Sequence, residues 1–412
     1  MAVASLVESV LGADLPVGVD AYDGSRAGPR DASTTIVIRS PDALRRLVFA
    51  PGELGLGRAY VAGDLDVDGD IFELLALRDR MPDLKLGRSV VADIVRVLGV
   101  RGVQPVPPPP EEARLHGRRH SKARDAAAIS HHYDVGNDFY RIVLGPSLTY
   151  SCAVWAAQDD TLEEAQARKY ELICRKLGLQ PGLRLLDVGC GWGSMVLHAA
   201  RHHGVQAVGV TLSRPQADLA RKRVAEAGLT DRVEIRLQDE RDVDDGPYDA
   251  ISSIGMFEHV GAQRLSEYFY HLHELVCPGG RVMNHGIGRP AGTGRARFSR
   301  RGFADRFVFP DGELLELGHV VSAMQDTGLE VRHEESLREH YARTLRSWVA
   351  NLESAWDEAV RLAGTGRARV WRLYMAASAV NFEAGRATIH QVLGVRPDGG
   401  ASGMPLRPDW TL

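Results

Sequence analysis

Leu185-Leu186-Asp187-Val188-Gly189-Cys190-Gly191-Trp192-Gly193 is the stretch whose reading decides the fold, since an apolar strand ends there, turns on three glycines and opens a helix. Gly189 and Gly191 tolerate positive φ and let the backbone approach a ligand closely, while the first turn of the next helix offers unpaired N–H groups. The spacing is G-x-G-x-G, not the G-x-G-x-x-G of dinucleotide folds, and no Lys-Ser or Lys-Thr pair follows it, so NAD and ATP are poor fits. Taken alone, such a turn is equally a tight loop.

The flanking pattern adds to it. Val205–Val210 reads as a second strand ending in Thr211-Leu212-Ser213, followed by a helix from about Pro215 to Ala227 closed by Gly228. Val233–Leu237 is a third strand with Gln238-Asp239 directly after it, so polar groups collect at one edge of an expected parallel sheet, where open α/β sheets bind ligands. S-adenosylmethionine fits such an edge. Tyr248–Ser253, a helix over Gln263–Val276 and a strand over Gly280–His285 continue the alternation, which predicts an α/β fold with a doubly wound sheet. Upstream, Thr161 and Glu164 form a capping box for a helix to Leu177, closed by Gly178. Downstream, Glu313–Thr327, Leu337–Ala363 and about Val370–Phe382 read as helices and Thr388–Leu393 as a late strand.

The chain has 412 residues, a net charge of -4 and four cysteines. That length gives a full core and suggests two domains, and the charge is too small for a nucleic-acid binder. Residues 1–102 read as a smaller N-terminal α+β domain with a strand near Thr35–Arg39 and a helix at Ile71–Arg80, residues 103–125 as a Pro-rich and basic linker, and residues 126–412 as the larger domain. No stretch reaches the length of a membrane span and no signal core opens the chain, so a cytoplasmic protein is expected. Cys152, Cys174, Cys190 and Cys277 lack metal-like spacing, and no metal is expected.

Two basic clusters stand out. Arg114, Arg118, Arg119, Lys122 and Arg124 read as a solvated stretch after the proline run Pro105–Pro110. Arg289, Arg295, Arg297, Arg300, Arg301 and Arg306 interleave with Phe298, Phe303, Phe307 and Phe309, which predicts that the long insertion 289–312 is a lid that meets anionic lipid through 289–309 and puts its rings into the interface.

With His132-Tyr133-Asp134-Val135-Gly136-Asn137-Asp138-Phe139-Tyr140, Thr149-Tyr150-Ser151-Cys152, Met256-Phe257-Glu258-His259-Val260-Gly261 and Phe309-Pro310-Asp311-Gly312 added to the glycine turn, the chain resembles the cyclopropane fatty acid synthase family of S-adenosylmethionine methyltransferases over nearly its whole length. Gly55-Leu56-Gly57-Arg58-Ala59-Tyr60 with Gly63-Asp64 resembles the accessory domain of the long, phospholipid-acting form. The resemblance implies methyl transfer to a cis double bond of a phospholipid acyl chain at the inner face of the membrane, by an enzyme whose relatives suggest a homodimer. It implies cofactor contacts from Tyr150, Ser151, Gly189, Gly191, Gly193, Thr211, Leu212, Gln216, Gln238 and Asp239, with neutral groups where many methyltransferases grip the ribose with an acid. It further implies a bicarbonate ion as base, held by Cys152, Glu258, His285, Ile287 and Tyr341.

Alkene attack on a sulfonium methyl creates a carbocation, which needs a dry pocket, electron-rich walls and a base. Tyr133, Tyr150, Phe257 and Tyr341 are candidate walls, each alone more ordinary as a core aromatic. Some relatives carry a cysteine where this chain has Ser378 in Ala377-Ser378-Ala379, which removes that thiol from the chemistry. The wording around His131–Trp155 and Phe309–Gly318 leans toward relatives that make a methylene branch for a partner reductase, with cyclopropane formation as the alternative on the same substrate. A non-catalytic lipid-binding protein is the alternative of another class.

Overall fold

The computed structural model describes all residues except 1, 13–15, 80–87, 100–103, 114–116, 118–120, 123, 126–134, 293–301 and 412, and leaves the side chains of 10, 11, 79 and 88–91 aside. Tyr133, Arg114, Arg118, Arg119, Arg295, Arg297, Phe298, Arg300 and Arg301 therefore lie outside the described residues. The chain divides into two compact units.

The first unit comprises Met1–Arg114, Ser299–Pro310 and Ala355–Val380. Its sheet has the order β2-β1-β3-β4, from β1 (Gly18–Ala21), β2 (Arg26–Ala27), β3 (Thr35–Ile38) and β4 (Leu65–Asp68). Only β1 and β3 run parallel. Alternation in β3 buries Ile36 and Ile38, which pack with Val19, Leu44 and Ala59 and with Val3 and Leu6 of the Val3–Leu11 helix. Gln104 and Pro107 of the expected linker accept hydrogen bonds from Arg45 and Arg46, and Glu112 pairs with Arg58 at 2.8 Å. These linker residues are thus held by side chains of the same unit, whereas in the basic stretch after them Lys122 pairs with Asp242 at 2.6 Å and stays 55% exposed.

A second cluster overturns the aromatic part of the expected lid. Phe303, Phe307 and Val308 are buried with Ala50, Leu54, Val61 and Val370, and the two rings stack at 4.8 Å. Their i,i+4 spacing on the Phe303–Phe307 helix puts both on one face, and that face has found a core. Gly57 makes room for it: a Cβ there would stand 2.3 Å from the Phe303 ring. Phe309 meets Tyr374 edge-on at 5.7 Å, and Arg306 lies 3.4 Å from Glu112. Burial removes Phe303 and Phe307 from any lipid interface. The division by compactness also differs from the contiguous expectation, since segments 299–310 and 355–380 belong with the N-terminal sheet.

The second unit comprises Leu115–Phe298, Asp311–Ser354 and Asn381–Leu412. Its strands are β5 (Arg184–Val188), β6 (Gln206–Thr211), β7 (Val233–Leu237), β8 (Tyr248–Ile254), β9 (Val276–Arg289), β10 (Leu315–Glu316), β11 (Glu330–Ser336) and β12 (Thr388–Val395). The order is β11-β12-β9-β8-β5-β6-β7, with β10 beside β9. The pairs from β7 through β9 are parallel, while β12 is antiparallel to both β9 and β11. This is the mostly parallel α/β sheet that the alternation predicted, and its order reverses direction between β5 and β8, where ligands bind in such sheets.

One sheet face packs Leu185, Ala250, Met283 and Leu393 against the helices Leu162–Leu177 and Ser194–His203. The other packs Leu186, Ile251 and Val282 against Phe269, Leu272 and Val320. Two elements and one unforeseen strand depart most from expectation. β9 is longer, and the helix expected over 337–363 is two, Arg338–Ser354 and Trp356–Ala363, parted at Ala355 where the chain passes from one unit to the other. β11 is an edge strand whose Arg332, His333, Glu334 and Glu335 hide any apolar alternation.

Candidate active site

The glycine turn closes onto the sheet: Gly189 and Cys190 both donate to the Val210 carbonyl, at 3.0 and 2.9 Å. Gly189, Gly191 and Gly193 have φ of +75°, +54° and +79°. A Cβ on Gly189 would lie 2.2 Å from the Met256 sulfur, so this glycine is needed for packing across the β5–β8 switch point. A Cβ on Gly191 would meet nothing within 4 Å, which leaves its backbone open to a ligand. Arg223 braces the turn from behind, donating to the Trp192 carbonyl at 2.6 Å and to Ser194 at 3.0 Å.

At the end of β6, Thr211 donates to the Gln216 side chain at 2.9 Å and accepts from the Ser213 amide, and Leu212 sits between them, half-buried. After β7, Gln238 donates to the Asp242 carbonyl at 2.8 Å, and Asp239 caps a short turn and grips Arg241 at 2.5 Å. Asp239 is held near pKa 2: hydrogen bonds and charge from Arg241 outweigh the burial that would raise it. Four expected cofactor contacts, Thr211, Gln216, Gln238 and Asp239, are therefore already engaged in local hydrogen bonds, which fixes their orientation.

An aromatic series runs from the turn. Trp192 lies 4.9 Å from Tyr140, Tyr140 is 6.1 Å from Tyr150, and Tyr150 is 5.4 Å from Trp348. Trp348 in turn lies 5.9 Å from Tyr341, whose ring meets Phe382 at 4.8 Å. Tyr150 and Tyr341 are thus brought together around Trp348. Phe257 is buried with Leu186, Ile251 and Val282, and its ring lies beside Gly286 together with Glu258 Oε2: a Cβ on Gly286 would stand 2.1 Å from the ring and 3.2 Å from that oxygen.

Ser151 is fixed from the Leu162–Leu177 helix, its carbonyl by Gln166 at 2.8 Å and its hydroxyl by Lys169 at 2.9 Å. Lys169 is fully buried, and desolvation pulls it down to about 7, while burial lifts Asp187 to about 6 beside Ser252. Cys152 is buried, with its thiol pushed far up by desolvation, so it is no nucleophile. Its sulfur donates to the carbonyls of Ala153 and Leu337, at 3.2 and 3.7 Å.

Leu337 links this segment to the sheet by donating to Ile389, the β12 partner of Ile287. The amide of Ile287 donates to Glu258 Oε1 at 2.7 Å. Burial raises the Glu258 carboxyl to about 7 despite that hydrogen bond. Its other oxygen, Oε2, is buried with no partner among the described residues, and so is His285 Nε2.

His285 is oriented by groups the sequence reading did not name. Lys176 Nζ donates to Gln391 Oε1 at 2.8 Å and also pairs with Glu335. An ammonium only donates, so Gln391 must turn its NH₂ toward His285 Nδ1, 3.1 Å away. Nδ1 then accepts, and the ring proton resides on Nε2. Burial, with the charges of Lys169 and Lys176, keeps the ring neutral by driving its pKa well below the usual value. Lys169 and Lys176 lie seven residues apart on the buried side of one helix, and that misplaced polarity was the available signal.

The family described as mycolic acid cyclopropane synthetase matches residues 120–392. A probable fatty acid methyltransferase of Mycobacterium tuberculosis is 48% identical over 407 residues, spanning 96% of this chain and 95% of that protein. Cyclopropane-fatty-acyl-phospholipid synthase of Escherichia coli is 32% identical, spanning 90% of each. The crystal structure of a mycolic acid cyclopropane synthase complexed with SAH and CTAB superimposes with a TM-score of 0.62 at 35% identity, covering 65% of this chain and 97% of that one.

Proposed function

The chain belongs to the mycolic acid cyclopropane synthetase family and is an S-adenosylmethionine-dependent methyltransferase acting on fatty acyl chains, and from that premise we propose that it methylates a cis double bond in a membrane phospholipid to give a methylene branch. The observation that carries this reading is the pair of buried, unpartnered polar atoms, Glu258 Oε2 and His285 Nε2. Such atoms cost about 1–3 kcal/mol each unless a ligand satisfies them. A small oxyanion suits them, because His285 offers Nε2–H and Glu258, raised to about 7, carries a proton to share.

We take that oxyanion to be bicarbonate, with Cys152, Ile287 and Tyr341 completing its surroundings. When bound, it would supply the basic oxygen that accepts the proton lost by the product. The protein's own part is placement and dryness. The open Gly191 backbone admits the methyl donor, Ser151 is locked by Lys169 and Gln166, and the rings of Tyr150, Tyr341 and Trp348 offer faces to developing positive charge.

The alkene attacks the sulfonium methyl in line, and the cation forms on the neighbouring carbon. Loss of a proton from the new methyl at that stage closes a cyclopropane. A hydride shift first moves the cation onto the methylated carbon, and the same proton loss then gives an exocyclic methylene, which a separate reductase can convert to a methyl branch. The wording around His131–Trp155 and Phe309–Gly318 supports the methylene product, and the cyclopropane-fatty-acyl-phospholipid synthase at 32% identity supports the ring as second reading. No described helix is long and apolar enough to cross a membrane.

Incubation with S-adenosylmethionine and oleoyl phospholipid liposomes tests this reading. S-adenosylhomocysteine should accumulate with an acyl chain one methylene unit heavier that ozone cleaves. An ozone-resistant chain of equal mass establishes the cyclopropane instead, and no homocysteine derivative would refute the phospholipid substrate.

A further inference from the structure

Away from the methyl-transfer site, the outer ends of two packed helices bring together side chains of three metal-ligating kinds. Glu171 and Cys174 are one turn apart on the Leu162–Leu177 helix, and His198 and His203 lie on the Ser194–His203 helix, which ends at Gly204. The Cys174 sulfur and one nitrogen of each histidine all lie within 4.8 Å of one another. Glu171 Oε2 lies beside the two histidines, 2.9 Å from His203 Nε2 and 3.5 Å from His198 Nε2. We propose that Cys174, His198, His203 and Glu171 form a binding site for a borderline-soft divalent cation of the zinc type.

The donor set matches that chemistry. One thiolate, two imidazoles and one carboxylate make four donors, the number a closed tetrahedral zinc site uses. With Zn–S near 2.3 Å and Zn–N near 2.0–2.1 Å, tetrahedral donors stand roughly 3.5 Å apart, so Cys174, His198 and His203, whose donor atoms lie within 4.8 Å of one another, would draw together by about 1 Å, with Glu171 turning in from beside the two histidines. Hard cations such as magnesium or calcium would reject the sulfur. Glu171 Oε1 accepts from Arg175 at 2.8 Å, an outer contact that orients the carboxylate and leaves Oε2 for the metal.

Access is one-sided. Cys174 is fully buried, whereas the His198 and His203 side chains retain 14% and 17% exposure, so an ion enters past the imidazoles and meets the sulfur last. Binding replaces the S–H bond by an S–metal bond and releases that proton to solvent, while each neutral imidazole gives a lone pair. The ion would staple the helix that begins at the glycine turn to the helix that carries Lys169 and Lys176. The sequence hid this cluster because its ligands come from two helices and no two cysteines share a local motif.

The test uses the full chain, stripped with a chelator under reducing conditions and titrated with zinc by calorimetry. Saturable binding with proton release is expected, and cobalt substitution should produce a thiolate charge-transfer absorption. Cys174→Ala and His203→Ala should each weaken zinc binding by about tenfold or more, whereas His319→Ala, at an exposed position elsewhere, should not. Circular dichroism reports folding, and if Cys174→Ala disturbs the core, the variant at the partly exposed His203 decides. Absence of saturable zinc binding, or unchanged affinity in the His203 variant, would overturn the proposal.

Discussion

Glu258 shows how single residues trade stability for chemistry. Its carboxyl is raised from 4.5 to about 7 by burial, so between those values the folded chain binds more protons than the unfolded one and stability falls as pH rises. Outside that window the contribution is flat. Glu258→Gln should therefore gain stability over the parent across this range, by at most about 3 kcal/mol, as read by denaturant melts at several pH values. The same variant, like His285→Ala, should lose about 10²-fold or more in turnover with nearly unchanged S-adenosylmethionine affinity, since neither residue is placed to hold the donor. Full activity in either would remove both from the base site. Gln391→Glu probes the orientation of His285. A carboxylate facing Nδ1 pulls the ring proton there, so the histidine's nitrogen NMR shifts should report the other tautomer and turnover should fall. An unaltered tautomer would dissociate Gln391 from His285.

Elements carry their own constraints. The glycine turn is usable because Gly191 has φ +54° and open space beside it, so Gly191→Val introduces both strain and bulk where the donor approaches. Equilibrium titration should show loss of S-adenosylmethionine binding with the fold retained; normal binding would place the donor elsewhere. The Glu53–Ala62 helix has the opposite need. Gly57 is tightly covered by Phe303, so Gly57→Ala should destabilise the first unit by about 1–3 kcal/mol through overpacking, and an unchanged melting profile would contradict that contact.

For the whole molecule, the two units are interleaved along the chain. A fragment of residues 126–412 keeps Phe303, Phe307, Val308 and Val370 but removes Ala50, Leu54 and Val61, against which they pack. Such a fragment should aggregate, in contrast to the full chain, on size-exclusion chromatography. A monodisperse, cooperatively melting fragment would show that these side chains find another cover. Cutting the chain at a residue number is therefore not the same operation as removing a unit.

Local patterns were enough for the large sheet: β5 to β9 and the Leu162–Leu177 helix with its Thr161–Glu164 capping box follow from apolar periodicity, glycine turns and caps, all of which act within a few residues. The glycine turn and the motif around Glu258 were likewise legible, because their residue types are unusual at strand ends. What the tertiary structure decided was long-range. β11 pairs at an edge without an apolar code, and Phe303 and Phe307 left a predicted lid for a core. The Lys176–Gln391–His285 series spans more than two hundred residues of sequence and exists only because β9, β12 and one helix meet. The Cys174, His198 and His203 cluster depends in the same way on two helices packing side by side. Backbone propensity is set by near neighbours, whereas burial, proton placement and ligand geometry are set by whichever side chains the fold makes adjacent.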